Sequence, residues 1–288
     1  MKKWTLFLCL YFCACLLAAC GATGGSQSDA ADTSQPEAIT ETFRIVTAEG
    51  PGHPPLLLAK VNGTAGEVYD LPSAENIPVT LEWVSEDKME AIEWSYQAGS
   101  LVELTHDGMI LETYPAQFSN VTAIHVLETG FDNRCAMYLD VLEDLWAKDS
   151  GLNNGVERIG VDLSETRLSP AEQSAVAWAF AGNHDVDLVQ NTWDELVELG
   201  YITASSLCID TSEASQAELD SYFYEWENGC FFSIAEQPME GVYSLMPVTF
   251  DAQKWRSSLG AYWLCDCTAI QSAMGKWSDY TIGSEMIS

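Results

Sequence analysis

Between residues 43 and 127 the chain is cut into runs too short to be helices. FRIVTAE, PLLLAKV, GEVYDL, IPVTLEW, SLVELTHDGMILETY and VTAIHVLE are rich in β-branched and aromatic residues and are bounded by Gly, Pro and Asn, which is the spacing and chemistry of short strands. The step Thr105-His106-Asp107-Gly108 stands between alternating residues and predicts a hairpin in which 101–105 pairs antiparallel with 109–113. This stretch contains no helix pattern long enough to cover a flat sheet. Its five or six strands are therefore expected to close into a small barrel, which leaves no free edges.

Beyond Gly130 the period changes. Tyr138, Val141, Leu142, Leu145 and Trp146 fall at helical spacing, which predicts a helix begun near Asp132 or Asn133 with Asp140, Glu143 and Asp144 on its wet side. A strand RIGVDLS follows, then Ser169-Pro170-Ala171-Glu172, a capping box with proline at the first helical position, opening a helix through Phe180 that stops at Gly182. After the strand VDLVQ, Thr192-Trp193-Asp194-Glu195 is a second capping box on a short helix ended by Gly200. SLCID at 206–210 reads as another strand, and from Tyr222 onward strands return with a heavy aromatic load. The expected fold class is α+β: an all-β barrel at 43–128, then a mixed α/β domain at 131–288 ending in antiparallel strands. ETGF at 128–131 interrupts both periods, so the two domains are expected to be separable there.

The N-terminus carries Lys2 and Lys3, an apolar run from Trp4 to Leu17 and two small residues before Cys20, the layout of a secretory leader. The run is shorter than the ~20 residues that span a hydrocarbon core. Residues 1–19 are thus expected to be a leader and 20–42, rich in Gly, Ser, Ala, Thr and Asp, a flexible tether. Leu17-Ala18-Ala19-Cys20 resembles the lipobox of bacterial lipoproteins. That resemblance implies a diacylglyceryl group on the Cys20 sulfur, cleavage just before it, and anchorage at the outer face of the cytoplasmic membrane. Residues 99–128 also resemble an OB-like small barrel domain of uncharacterised Gram-positive lipoproteins, through Gly99, Val102, Gly108, Ile110, Glu112, Thr113, Pro115, Ala116 and Gln117. The family brings an OB-like topology but no established activity, and fold is not function.

Charge narrows the partners. The chain has 43 acidic against 12 basic residues, net −31, and 168–253 contains fifteen Asp and Glu with no Lys or Arg. Such a field disfavours nucleic acid and anionic headgroups. No serine-hydrolase elbow, zincin motif, phosphate-binding loop or dinucleotide fingerprint is present, and no cofactor or metal is implied. Downstream of Cys20 the five cysteines, Cys135, Cys208, Cys230, Cys265 and Cys267, form no disulfide framework. On a strand, Cys265 and Cys267 would share one face, so a disulfide would run from one of them to Cys230 or Cys208.

The preferred reading is a non-catalytic, lipid-anchored module whose partner is a cell-wall component, a protein or a small ligand. Lys254 and Arg256 are expected on one face of a strand and first of all to pair with neighbouring carboxylates; the alternative, which makes them ligand-binding candidates, is an anion-accepting spot beside Trp255 or Trp263. An envelope hydrolase would use Asp162, His184 and Asp187, provided that these meet in one cleft. A transporter's solute-binding lipoprotein would need two similar α/β lobes.

Overall fold

The runs of the first half form strands, but the sheet stays open. The structure, a computed structural model, describes residues 38–50, 53–72, 77–82, 97–127, 129–204, 224–238, 247–273 and 275–288. The leader, Cys20, the tether as far as 37 and the strand expected at 206–210 with Cys208 lie outside them. The first sheet consists of β1 (Ile39–Gly50), β2 (His53–Lys60), β3 (Val68–Leu71), β4 (Val79–Leu81), β5 (Leu101–His106), β6 (Ile110–Leu111), β7 (Ala116–Phe118) and β8 (Val121–Val126). Their order is β4-β8-β5-β1-β2-β3-β7-β6, with β4 and β6 at the open ends.

Side-chain alternation explains why closure is unnecessary. In β2, Leu56 and Leu58 enter a core with Phe43, Tyr69 and Phe118, while Leu57 and Ala59 face the other way into a second, larger core. A continuous apolar run is the mark of a strand buried on both faces. The sheet curls around the first core, where Phe43 meets Tyr69 and Phe118 edge-on at 5.2 and 5.5 Å between ring centres, a favoured aromatic arrangement. Its opposite face is covered by helices contributed from beyond residue 130, so the expected barrel does not form.

The Asp107-Gly108 hairpin is also overturned. β5 pairs with β1 and β8, whereas β6 pairs with β7. Asp107 Oδ1 accepts the Met109 N–H at 2.9 Å, and His106 Nδ1 accepts the Gly108 N–H at 3.1 Å. These local bonds turn the chain out of β5, and Asp107 N–H joins Asn120 O beneath the excursion.

In the second half, α1 (Arg134–Ala147) and a 3-10 turn (Ser150–Asn153) precede β9 (Arg158–Asp162), α2 (Pro170–His184), β10 (Asp187–Val189) and α3 (Trp193–Glu198). β11 (Thr203–Ala204), β12 (Tyr224–Glu225), β13 (Gly229–Glu236), β14 (Val248–Ser257), β15 (Gly260–Ala269) and β16 (Ser284–Ile287) complete the described elements. The second sheet runs β10-β9-β13-β14-β12-β11, with β15 joining β14 to β16. β10, β9 and β13 are mutually parallel, and the other pairings are antiparallel. The expected α+β division therefore gives way to a mostly β molecule with two mixed sheets. Three α-helices occur among the described residues, none long and apolar enough to cross a membrane.

α1 and α2 lie between the sheets. The larger core joins Val46, Leu57, Ala59 and Val68 of the first sheet to Tyr138, Leu142, Val176 and Phe180 of the helices, and to Ile159, Phe232 and Phe250 of the second. α3 packs elsewhere, in a smaller core where Leu196 meets Trp226, Phe231 and Trp255. Residues 36–288 form one compact unit.

Candidate functional site

α2 is apolar almost all round because it is covered from two sides. Ala171, Ala175, Ala177, Ala179 and Ala181 are buried with Val176 and Phe180, and their small side chains allow both sheets to come close. Its start is fixed by both legs of the capping box. Ser169 Oγ accepts the Glu172 N–H at 3.3 Å, and Glu172 Oε2 accepts the Ser169 N–H at 2.8 Å. The other oxygen of Glu172 pairs with Arg44 Nε at 2.7 Å. That guanidinium also donates from Nη1 to the carbonyls of Gly99 and Gly130, at 2.9 and 2.8 Å. The helix ends where Asp185 turns left-handed, at φ 53°.

Within this alanine-rich rod stands one half-buried indole, Trp178. Its neighbours Ala177 and Ala179 cannot cover the ring, and Gly182 follows one turn later. Beyond its own helix backbone and chain neighbours, no atom lies within 4 Å of where a Gly182 side chain would begin. A hollow opens on each side of the indole, and Trp178 and Gly182 line both.

The first hollow, about 580 Å³, is bounded by Thr47, Asp70, Leu139 and Asn183. The second, about 420 Å³, is bounded by Tyr114, Val186, Asp187 and Gln190. Both volumes fall within the ~300–1,000 Å³ of small-molecule sites. Each hollow therefore offers one hydroxyl, one carboxylate and one amide beside the shared ring. No Lys, Arg or His is among the described residues that line either.

Neighbours hold these groups in place. Asn183 Nδ2 donates to Glu143 Oε1 at 2.7 Å, and Gln117 Nε2 donates to Asp70 Oδ2 at 3.3 Å. The buried Ser174 hydroxyl accepts from Gln190 Nε2 at 2.7 Å and from Gly66 N–H at 3.0 Å, and donates to Pro170 O at 3.0 Å. Burial raises the Asp70 carboxyl above its ordinary value, opposed by the Gln117 bond. Burial likewise raises the Tyr114 phenol, opposed by its bond to Ser174.

No protein-family model, curated protein or solved structure matches this chain.

The residues singled out in sequence fall into separate places. His184 stacks on Trp146 at 4.0 Å between ring centres, and its Nε2 lies 2.8 Å from Glu143 Oε2, so it clamps α2 to α1. Asp187 is opposite Arg158 at one end of β9, while Asp162, opposite Ser233, is at the other. Four residues of strand separate those positions, roughly 13 Å. Asp162 Oδ1 instead accepts the Ser164 N–H at 2.9 Å. The three residues do not converge, and of them only Asp187 reaches the groove.

Lys254 and Arg256 do share a face, but their partners are backbone carbonyls rather than carboxylates. Lys254 is fully buried, and its Nζ donates to Trp146 O, Lys148 O and Asp149 O at 3.1, 2.8 and 3.3 Å. Arg256 donates to Leu152 O, Asn154 O and Glu227 O at 2.9, 2.6 and 2.6 Å. Both bases thus fasten the end of α1 and the turn after it, and the three N–H bonds of the buried Lys254 ammonium are all taken up. Trp255 points the other way, edge-on to Trp193 at 4.3 Å, and Trp263 packs on the same small core.

The described cysteines, Cys135, Cys230, Cys265 and Cys267, are free thiols. A bulge at Asp266, with φ 52°, shifts the register of β15 against β14. Cys267 is therefore buried and Cys265 half-exposed, not on one shared face as simple alternation predicts. Burial pushes the Cys230 and Cys267 thiols up to about 12. Among the described residues no His, Cys, Asp and Glu group is placed to hold a metal ion.

A third hollow, about 410 Å³, lies between α1 and the chain before β16, lined by Asp140, Asp144, Asp279, Trp277 and Tyr280. Tyr280 Oη donates to Asp144 Oδ2 at 2.5 Å. Burial, then the charges of Asp144, Asp279 and Glu143, raise the Asp140 carboxyl. The Trp178 groove was missed in sequence although a signal existed: an indole flanked by alanines with glycine four residues on has no cover from its own helix.

Proposed function

We propose that this protein is a lipid-anchored extracytoplasmic lipoprotein of the Gram-positive type, acting as a non-catalytic binding module. It is held at Cys20 on the outer face of the bacterial cytoplasmic membrane, and it receives its partner in the groove around Trp178. The observation that carries the binding role is the pair of hollows sharing one indole, each with a hydroxyl, a carboxylate and an amide at its rim. Lys2 and Lys3, the apolar run and Leu17-Ala18-Ala19-Cys20 support the anchor. The partner is a cell-wall component, a protein or a small ligand. Nucleic acid is disfavoured by the net charge of −31.

A hydrolase built on Asp162, His184 and Asp187 has no observation in its favour, since each of these side chains has a different setting. The anchor is tested by labelling cells with radioactive palmitate. Incorporation is expected in the parent protein and absent in Cys20→Ser. Label retained by Cys20→Ser contradicts the lipoprotein reading.

A further inference from the structure

The polar groups of the groove are few, mixed and evenly divided. Thr47, Asp70 and Asn183 edge one hollow, and Tyr114, Asp187 and Gln190 edge the other. Trp178 stands between them, and the remaining lining is apolar, including Leu57 and Leu139 on one side and Val186 and Leu188 on the other. An anion would need a base, and none lines the hollows among the described residues. A polyvalent cation would need several carboxylates together, and here each hollow has one. A ligand suited to both sides is uncharged, carries many hydroxyls that donate and accept, and has an apolar face to lay on an indole.

We propose that the two hollows form one site for a neutral oligosaccharide, with one sugar ring on each side of the Trp178 indole. The C–H face of a pyranose packs on the indole as apolar area. The carboxylates of Asp70 and Asp187 accept from vicinal hydroxyls, and the amides of Asn183 and Gln190 supply further hydrogen-bonding atoms. Those amides are held by Glu143 and Ser174, so little side-chain freedom is lost on binding. This assignment rests on the groove being the binding site of the proposed module, and it names the ligand class.

Gly182 provides a test that separates binding from folding. It lines both hollows, and a Cβ atom there would meet nothing within 4 Å beyond its own helix backbone and chain neighbours. Gly182→Leu should therefore fill the groove while favouring the helix, since leucine is the better helix former. The full-length protein in detergent micelles would be titrated by calorimetry with maltotriose, cellotriose and the N-acetylglucosamine trimer, and separately with spermine. At least one trisaccharide is expected to bind with Kd below about 1 mM. Gly182→Leu should weaken it at least tenfold with an unchanged or higher melting temperature. Asp187→Ala, at an exposed position, should weaken it several-fold.

A trisaccharide held equally by Gly182→Leu and the parent overturns the placement. Spermine bound in the groove and lost in Gly182→Leu, with no sugar bound, overturns the sugar class and leaves the binding role standing. Failure of every probe overturns the sugar assignment and removes the groove from the proposed function.

Discussion

Three carbonyl oxygens hold the buried ammonium of Lys254 at the end of α1. Burial lowers its pKa below the ordinary lysine value, opposed by Cys230 and Asp149. The group must be solvated by the protein itself, and the negative end of the helix dipole provides for it. Charged hydrogen bonds of this kind contribute roughly 1.5–3 kcal/mol, whereas solvent screens an exposed pair such as Lys148 with Glu285. Lys254→Met is therefore expected to lower stability in urea by about 2 kcal/mol, and Lys148→Met by much less. Equal small losses would contradict the helix-end role. The shared face of Lys254 and Arg256 was legible from strand alternation. Their partners were not, because a backbone carbonyl has no identity in sequence.

Asp140 gives a prediction with a pH sign. Its folded pKa is raised above the ordinary 3.8 by burial first and by Asp144, Asp279 and Glu143 after it. The folded state thus binds this proton more tightly. The stability it contributes is full below 3.8 and is lost as pH rises through the folded value. Asp140→Asn should then melt higher than the parent at pH 7, with the gain shrinking as the pH falls toward 3.8. A gain that grows on acidification would contradict the assigned cause.

At the scale of elements, the signals that survived were those with a local mechanism. Both capping boxes formed, on α2 and α3, because serine or threonine and the glutamate three residues on satisfy backbone N–H groups whatever packs outside. Ser169→Ala should cost about 1 kcal/mol. Because Glu172 also holds Arg44, this change should weaken the link from α2 to the first sheet. An amide-exchange rate around Ala171 and Glu172 identical to the parent's would contradict that coupling. The Asp107-Gly108 hairpin and the Cys265–Cys267 alternation failed for the opposite reason. Each depends on which strand lies alongside and in what register: β8 takes the edge of β5 intended for the hairpin, and the bulge of β15 at Asp266 against β14 turns Cys267 inward.

At the scale of the molecule, the strands of 43–127 were legible but their closure was not. A local reading asks whether a stretch can cover itself, and this one is covered by α1 and α2. Val46, Leu57, Ala59 and Val68 belong to the core those helices complete. A fragment cut at 128–131 would expose them, and burial of such a side chain contributes about 1.5–3 kcal/mol. The fragment 39–127 is accordingly expected to show no cooperative thermal transition, and a sharp two-state melt would contradict the shared core. The same arrangement places Trp178 where helix and sheet edges leave room beside it. The groove is tested most directly by nuclear magnetic resonance of the full-length protein carrying 15N-labelled indoles, with the Trp178 signal identified through Trp178→Phe. Among its ten tryptophans, addition of whichever neutral trisaccharide binds should move the Trp178 indole N–H and leave Trp226 and Trp255 where they were. Movement at Trp255 or Trp263 with Trp178 unchanged would contradict the account.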